Sequence, residues 1–101
     1  MTDAFVVVSE LAVDPAGAAA LEGAFRDRLR LAESQPGFRR LEVWRDERGD
    51  GAYARVTWWD DEESVRAYLR SPAHAASHAR VPVAPAKARG VGLRRYRRIA
   101  E

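Results

Sequence analysis

The stretch Ala54-Arg55-Val56-Thr57-Trp58-Trp59-Asp60-Asp61-Glu62-Glu63 constrains this chain most, because a β-branched and aromatic run turns within one residue into an acidic helix start. Asp60 and Glu63 have capping-box spacing, with Asp60 as the predicted N-cap. Asp61, Glu62 and Glu63 put negative charge at the positive end of the helix dipole. Val65, Tyr68 and Leu69 then follow as one buried stripe. Ser71-Pro72 ends that helix and supplies an N-cap and a first-turn proline for a second, short one.

The rest of the chain is read outward from this junction. Ala4 to Val13 is a β-branched run of the kind found in a central strand. Asp14-Pro15 starts a helix, and Ala18, Leu21, Phe25, Leu29 and Ala32 recur at helical spacing, predicting a surface helix from about Pro15 to Glu33. Gln35-Pro36-Gly37 stops it. Phe38 to Asp46 alternates as a strand, Arg48-Gly49-Asp50-Gly51 turns, and Ala52 to Trp59 returns as the hairpin partner. Val81 to Gly90 carries prolines without a period and reads as a loop before a last strand from Val91 to Ala100. Strand, helix, strand, strand, helix pair, strand is the split βαβ order of an α+β, ferredoxin-like domain with one antiparallel sheet.

At 101 residues the chain is one domain with one core. The absence of cysteine removes disulfides, thiolate nucleophiles and cysteine-based metal sites, and fits a reducing compartment. No apolar run reaches the roughly 20 residues that span a bilayer, and Met1-Thr2-Asp3 lacks a basic signal-peptide start, so a cytoplasmic protein without membrane attachment is expected. Seventeen basic residues stand against fifteen acidic ones, and the excess sits in Arg94-Arg95-Tyr96-Arg97-Arg98. Those arginines alternate between strand faces, which suits edge protection better than a nucleic-acid stripe. His74 and His78 are four apart, a spacing that can hold zinc, but no third ligand stands at an obvious spacing.

A sheet backed by helices on one side leaves its other face open. Strict alternation places Phe38, Trp44 and Val7 there, an apolar surface that two copies would cover by packing face to face as a homodimer. Trp58 and Trp59, adjacent in a strand, point to opposite faces. Tyr53, Arg55, Thr57 and Trp59 share one face by period two, as do Val7 and Ser9. If Trp59 faces a cavity, Arg55 does too, and a buried guanidinium needs an anion: Glu10, Glu42 or a substrate phenolate.

Gln35-Pro36-Gly37-Phe38, Trp59 leading into Asp60 to Glu63, Leu69-Arg70-Ser71-Pro72 and His78 together resemble the antibiotic biosynthesis monooxygenase domain over Phe5 to Ile99. The resemblance implies a dimeric α+β barrel with Trp59 toward its interior. It also implies a pocket between helices and sheet lined by Ser9, Arg55, Trp59, Tyr68 and His78, which takes a small aromatic substrate. Two enzymatic branches map onto these positions. The haem-degrading branch uses a first-strand asparagine, a tryptophan on the helix and a histidine ligand, which correspond to Ser9, Tyr68 and His78, so only the histidine is kept. The quinone-forming branch, which oxidises polyketide phenols without metal or flavin, keeps its tryptophan at Trp59. Arg55 and Ser9 stand for its asparagines, and Val65 stands for a tyrosine used by some members. The chemistry implied is oxidation of a phenol to a quinone with no cofactor, with Ser9, Arg55, Trp59 and Tyr68 as the site. Haem held by His78, or a non-catalytic dimeric small-molecule-binding module, are the alternatives.

Overall fold

A computed structural model of the chain describes residues 4–26, 31–48, 51–72, 74 and 89–101. The elements are β1 (Phe5–Ala12), α1 (Ala18–Arg26), β2 (Phe38–Arg45), β3 (Ala52–Trp59), α2 (Glu62–Leu69) and β4 (Arg89–Arg97). They form one antiparallel sheet in the order β2-β3-β1-β4, the ferredoxin-like arrangement expected from the element order.

The register sorts the sheet into rungs. On the face beneath the helices, Phe38, Trp59, Phe5 and Arg97 make one rung, and Leu41, Thr57, Val7 and Arg95 the next. Val43, Arg55, Ser9 and Leu93 follow, and Arg45, Tyr53 and Leu11 come after them. The helices bury two apolar clusters against these rungs. Val65 and Tyr68 of α2 cover Phe5, Val7, Trp59 and the partly buried Phe38. Leu21, Ala18 and Phe25 of α1 cover Val13, Tyr53, Leu11 and Val43.

Phe38 and Val7 therefore belong to the core and not to the open face. The register of β2 against β3 shifts between Phe38 and Arg40, and this bulge at Arg39 breaks the strict alternation that grouped Phe38 with Trp44. Downstream of it Trp44 does lie on the open face, with Glu42, Arg40 and Trp58. Trp44 and Trp58 meet edge to face at 6.4 Å, and the Arg40 guanidinium lies 5.4 Å from the Trp58 ring centre. Trp59 packs beneath α2.

Three expectations about the helices change. The N-cap of α2 is Asp61, whose Oδ1 accepts bonds from the Ser64 N–H at 2.8 Å and the Ser64 hydroxyl at 2.7 Å. Asp60 is engaged elsewhere: its carboxylate accepts from Arg39 Nε at 2.6 Å and its N–H donates to the Gly37 carbonyl. The first helix is also not continuous from Pro15. A 3-10 turn over Pro15–Gly17 precedes α1, another spans Leu31–Ser34, and residues 27–30 lie outside the described residues. Leu69, the last residue of α2, is 44% exposed while Val65 and Tyr68 are buried.

Ser71 plays the part expected of it, accepting the His74 N–H at 3.2 Å. Pro72 and His74 are helical. The loop expected over Val81 to Gly90 lies outside the described residues up to position 88; Arg89 and Gly90 are already strand.

Gly37 joins the two halves of this scaffold. Its φ is +81°, and a β-carbon there would run into the side chain of Ser64, the residue bonded to the α2 cap. Gly37→Ala should destabilise the protein by about 2 kcal/mol or more through strain and a displaced α2 start, measured as a shift in urea midpoint.

Candidate active site on the helix face of the sheet

Four of the five residues expected to line a pocket are described, and all four lie on one side of the sheet. Trp59 is 1% exposed and donates from Nε1 to Thr57 Oγ1 at 2.8 Å. Phe38 meets it edge-on with ring centres 5.4 Å apart, and Tyr68 lies across it at 5.4 Å. Tyr68 in turn contacts the half-buried His74 ring at 5.2 Å. Its hydroxyl is buried without a hydrogen-bond partner among the described residues, an arrangement that ordinarily costs about 1–3 kcal/mol. His78 lies outside the described residues.

Ser9 and Arg55 sit two rungs away and face each other across β1 and β3. Both are half-buried. Two anions offered by the sequence for Arg55 are on the opposite face of the sheet and already paired. Glu10 binds Arg94 Nε at 3.2 Å, and Glu42 binds Arg40 and the Trp44 indole N–H. Among the described residues no carboxylate pairs with Arg55, which is half-buried on the helix face of the sheet between Ser9 and Val43.

Beyond Arg55, toward α1, the same face opens into a cleft of about 500 Å³. Phe25, Leu41 and Val43 give it apolar walls, and Glu22, Arg26, Arg45 and Tyr53 surround them. The Tyr53 hydroxyl donates to Glu22 Oε2 at 2.6 Å, Arg45 Nη1 reaches the same oxygen at 3.0 Å, and Arg26 Nη2 reaches Oε1 at 3.5 Å. Sequence reasoning passed over this cluster. Its one readable signal was that Tyr53 shares a face with Arg55 and stands across the hairpin from Arg45.

The Tyr53 bond, followed by Arg45, holds the Glu22 carboxyl below its ordinary 4.5. Burial, then the Glu22 bond, pushes the Tyr53 phenol above its ordinary 10.0. The signs are opposite. A depressed carboxylate stabilises the fold above its unfolded value and loses this as pH falls through the folded value. A raised phenol stabilises the fold below its unfolded value and loses this as pH rises through the folded one. Melting temperature should therefore fall off above pH 10.0, and Tyr53→Phe should flatten that alkaline limb while the acid limb keeps the Arg45 contribution.

Among the described residues no three His, Asp or Glu side chains gather as metal ligands, and no helix is long and apolar enough to cross a membrane. The model of the antibiotic biosynthesis monooxygenase family matches residues 4–80. A mycobilin-producing haem oxygenase of Mycobacterium tuberculosis is 38% identical over 73 residues, which cover 69% of this chain and 70% of that protein. SnoaB, a cofactor-independent oxygenase from Streptomyces nogalater, superimposes with a TM-score of 0.68 at 20% identity, over 99% of this chain and 95% of that one. A conserved protein of Methanosarcina mazei superimposes at 0.77 with 15% identity, over 97% and 95%.

Proposed function

The chain belongs to the antibiotic biosynthesis monooxygenase family, and from that premise we propose that it oxidises a small aromatic phenol to a quinone with dioxygen, without a resident metal, flavin or haem. The observation that carries this reading is Arg55, half-buried across from Ser9 on the helix face of the sheet, with no anion to neutralise it among the described residues.

A phenol whose ring bears an activated methylene gives up a proton and becomes a delocalised anion. Arg55 donates charge-assisted hydrogen bonds to the anionic oxygen, and the Ser9 hydroxyl adds another. That anion is electron-rich enough to pass one electron to dioxygen. The resulting superoxide and substrate radical combine at the methylene carbon to form a peroxide. Loss of water from the peroxide leaves a carbonyl, so one oxygen atom enters the product, the other leaves as water, and the substrate supplies both electron pairs. The protein holds the anion and seats its ring against Phe25, Leu41 and Val43, while solvent at the open rim of the cleft accepts the proton from the substrate and returns protons as water leaves the peroxide. With a dihydroxyanthrone as substrate, oxygen uptake should exceed the spontaneous rate and stop at one dioxygen per quinone formed. Uptake no faster than in protein-free buffer contradicts the reading.

The similarity to the mycobacterial haem oxygenase favours a second reading, haem binding through His78. Among the described residues, the space directly under α2 is taken up by Trp59 and Tyr68, 1% and 3% exposed. Titration with hemin tests it directly, since a Soret band lost in His78→Ala supports haem binding and its absence rejects it.

A homodimer completes the proposal. Trp44 and Tyr96 are 49% and 48% exposed on the open face of the sheet, Trp58 lies beside Trp44, and a second copy packed there covers them. Obligate dimers of such small chains bury upward of about 2,000 Å² in total. Sedimentation should find a dimer at micromolar concentration; a stable monomer contradicts it.

A further inference from the structure

The arginines from Arg94 to Arg98 take no part in the chemistry above, and β4 divides them between the two faces of the sheet. Arg94 is on the open face, paired with Glu10 at 3.2 Å. Arg95 and Arg97 lie on the helix face, in the rungs of Val7 and Phe5, and so stand beside α2, which covers those two residues. Glu62 fixes which side of α2 meets them: its Oε2 holds Arg66 Nη2 at 2.9 Å along the helix and Arg95 Nη1 at 3.6 Å across to the strand. Leu69, one turn on from Arg66, shares that side and is 44% exposed. Leu93, two residues from Arg95 on the same face of β4, is 56% exposed. At the other end the Arg97 guanidinium lies 5.8 Å from the Phe5 ring centre.

The side chains between α2 and β4 thus bring together three guanidiniums, one shared carboxylate and two exposed leucines. Arg66 and Arg95 keep free donors after their contact with Glu62, and the charge balance is left positive. A nucleic acid needs exposed aromatic side chains to stack its bases, and Phe5, the aromatic ring at this groove, is 6% exposed. Anionic membranes are held by clusters of about 4–8 basic residues, more than this groove offers. Acidic groups interleaved with apolar side chains match both its charge and its leucines.

We propose that the groove between α2 and β4 docks a short acidic segment of another protein, its carboxylates on Arg66, Arg95 and Arg97 and its apolar side chains on Leu69 and Leu93. Glu62 stands in for a partner carboxylate until the segment arrives, and it is the group the segment displaces from Arg66 and Arg95.

Fluorescence anisotropy with the full chain tests this, using a labelled short peptide of alternating glutamate and leucine. The matching glutamine–leucine peptide should bind at least about tenfold more weakly, and added salt should weaken the acidic peptide. Arg66→Gln and Arg95→Gln should each weaken it about threefold, and the double variant about tenfold. Glu62→Gln should tighten it about threefold, because the internal competitor is gone. A Glu62 that serves only to hold α2 against β4 would give the opposite sign. Arg94→Gln, on the other face of the sheet, should leave binding unchanged. A loss in Arg94→Gln equal to that in Arg95→Gln would mean attraction to positive charge in general, and overturns the groove. Weaker binding in Glu62→Gln with the fold intact by circular dichroism overturns it too. Tighter binding of a single-stranded oligonucleotide or of phosphatidylglycerol vesicles, lost in the Arg66→Gln, Arg95→Gln double variant, would assign the arginines to those partners instead.

Discussion

Arg55→Gln should lower kcat/KM for a dihydroxyanthrone by about 100-fold, the scale of losing one preorganised donor to a developing oxyanion. The expectation follows from where Arg55 sits. It is half-buried on the third rung of the helix face, across from Ser9, with Glu10 and Glu42 both committed on the other side of the sheet. A cation held there without a protein anion is worth its desolvation only when something negative binds beside it. Glutamine keeps hydrogen-bond donors but not the charge, so folding should be unaffected or slightly improved. A loss confined to KM would mean that Arg55 only binds substrate; a fall in kcat shows that it stabilises the reacting anion. Unchanged kcat/KM in a folded Arg55→Gln protein removes Arg55 from the chemistry.

Trp59→Ala should be the most destabilising single change in the chain, by about 3–5 kcal/mol, and should leave little folded protein at 37 °C. The indole is 1% exposed, packs against Phe38 and Tyr68, and spends its N–H on Thr57, so truncation opens a cavity at the junction of the sheet and α2 and breaks a buried hydrogen bond at once. Trp59→Phe keeps a ring in the cluster and should cost about 1–2 kcal/mol, mainly through the lost bond to Thr57. Its effect on turnover, corrected for the folded fraction, should be well below that of Arg55→Gln, because an indole so enclosed acts on substrate only by holding Tyr68 and the sheet in place. A Trp59→Phe protein that folds normally but has lost as much turnover as Arg55→Gln would make Trp59 a catalytic residue.

These two positions also show what was legible in the sequence. Period-two alternation along β3 correctly put Tyr53, Arg55, Thr57 and Trp59 on one face, because no bulge interrupts that strand's pairing with β1 over those residues. The same rule failed for Phe38, where a one-residue bulge at Arg39 reverses the alternation, and local sequence carries no mark of it. The α2 cap slipped by one residue for a tertiary reason. Arg39, fixed by that bulge, claims the Asp60 carboxylate and leaves Asp61 to cap Ser64. The cleft was hidden for a related reason. Glu22, Arg45 and Tyr53 come from α1, β2 and β3, the bonded Glu22 and Tyr53 are 31 positions apart, and no periodicity reports a meeting at that separation.

On the proposed reading, the substrate is oxidised with protein groups and dioxygen alone. The most direct measurement compares oxygen uptake with a dihydroxyanthrone by chelator-treated, haem-free protein, with and without one equivalent of hemin, against the protein-free rate. The same protein-dependent rate is expected in both samples. A protein-dependent rate that appears only when hemin is added would contradict it.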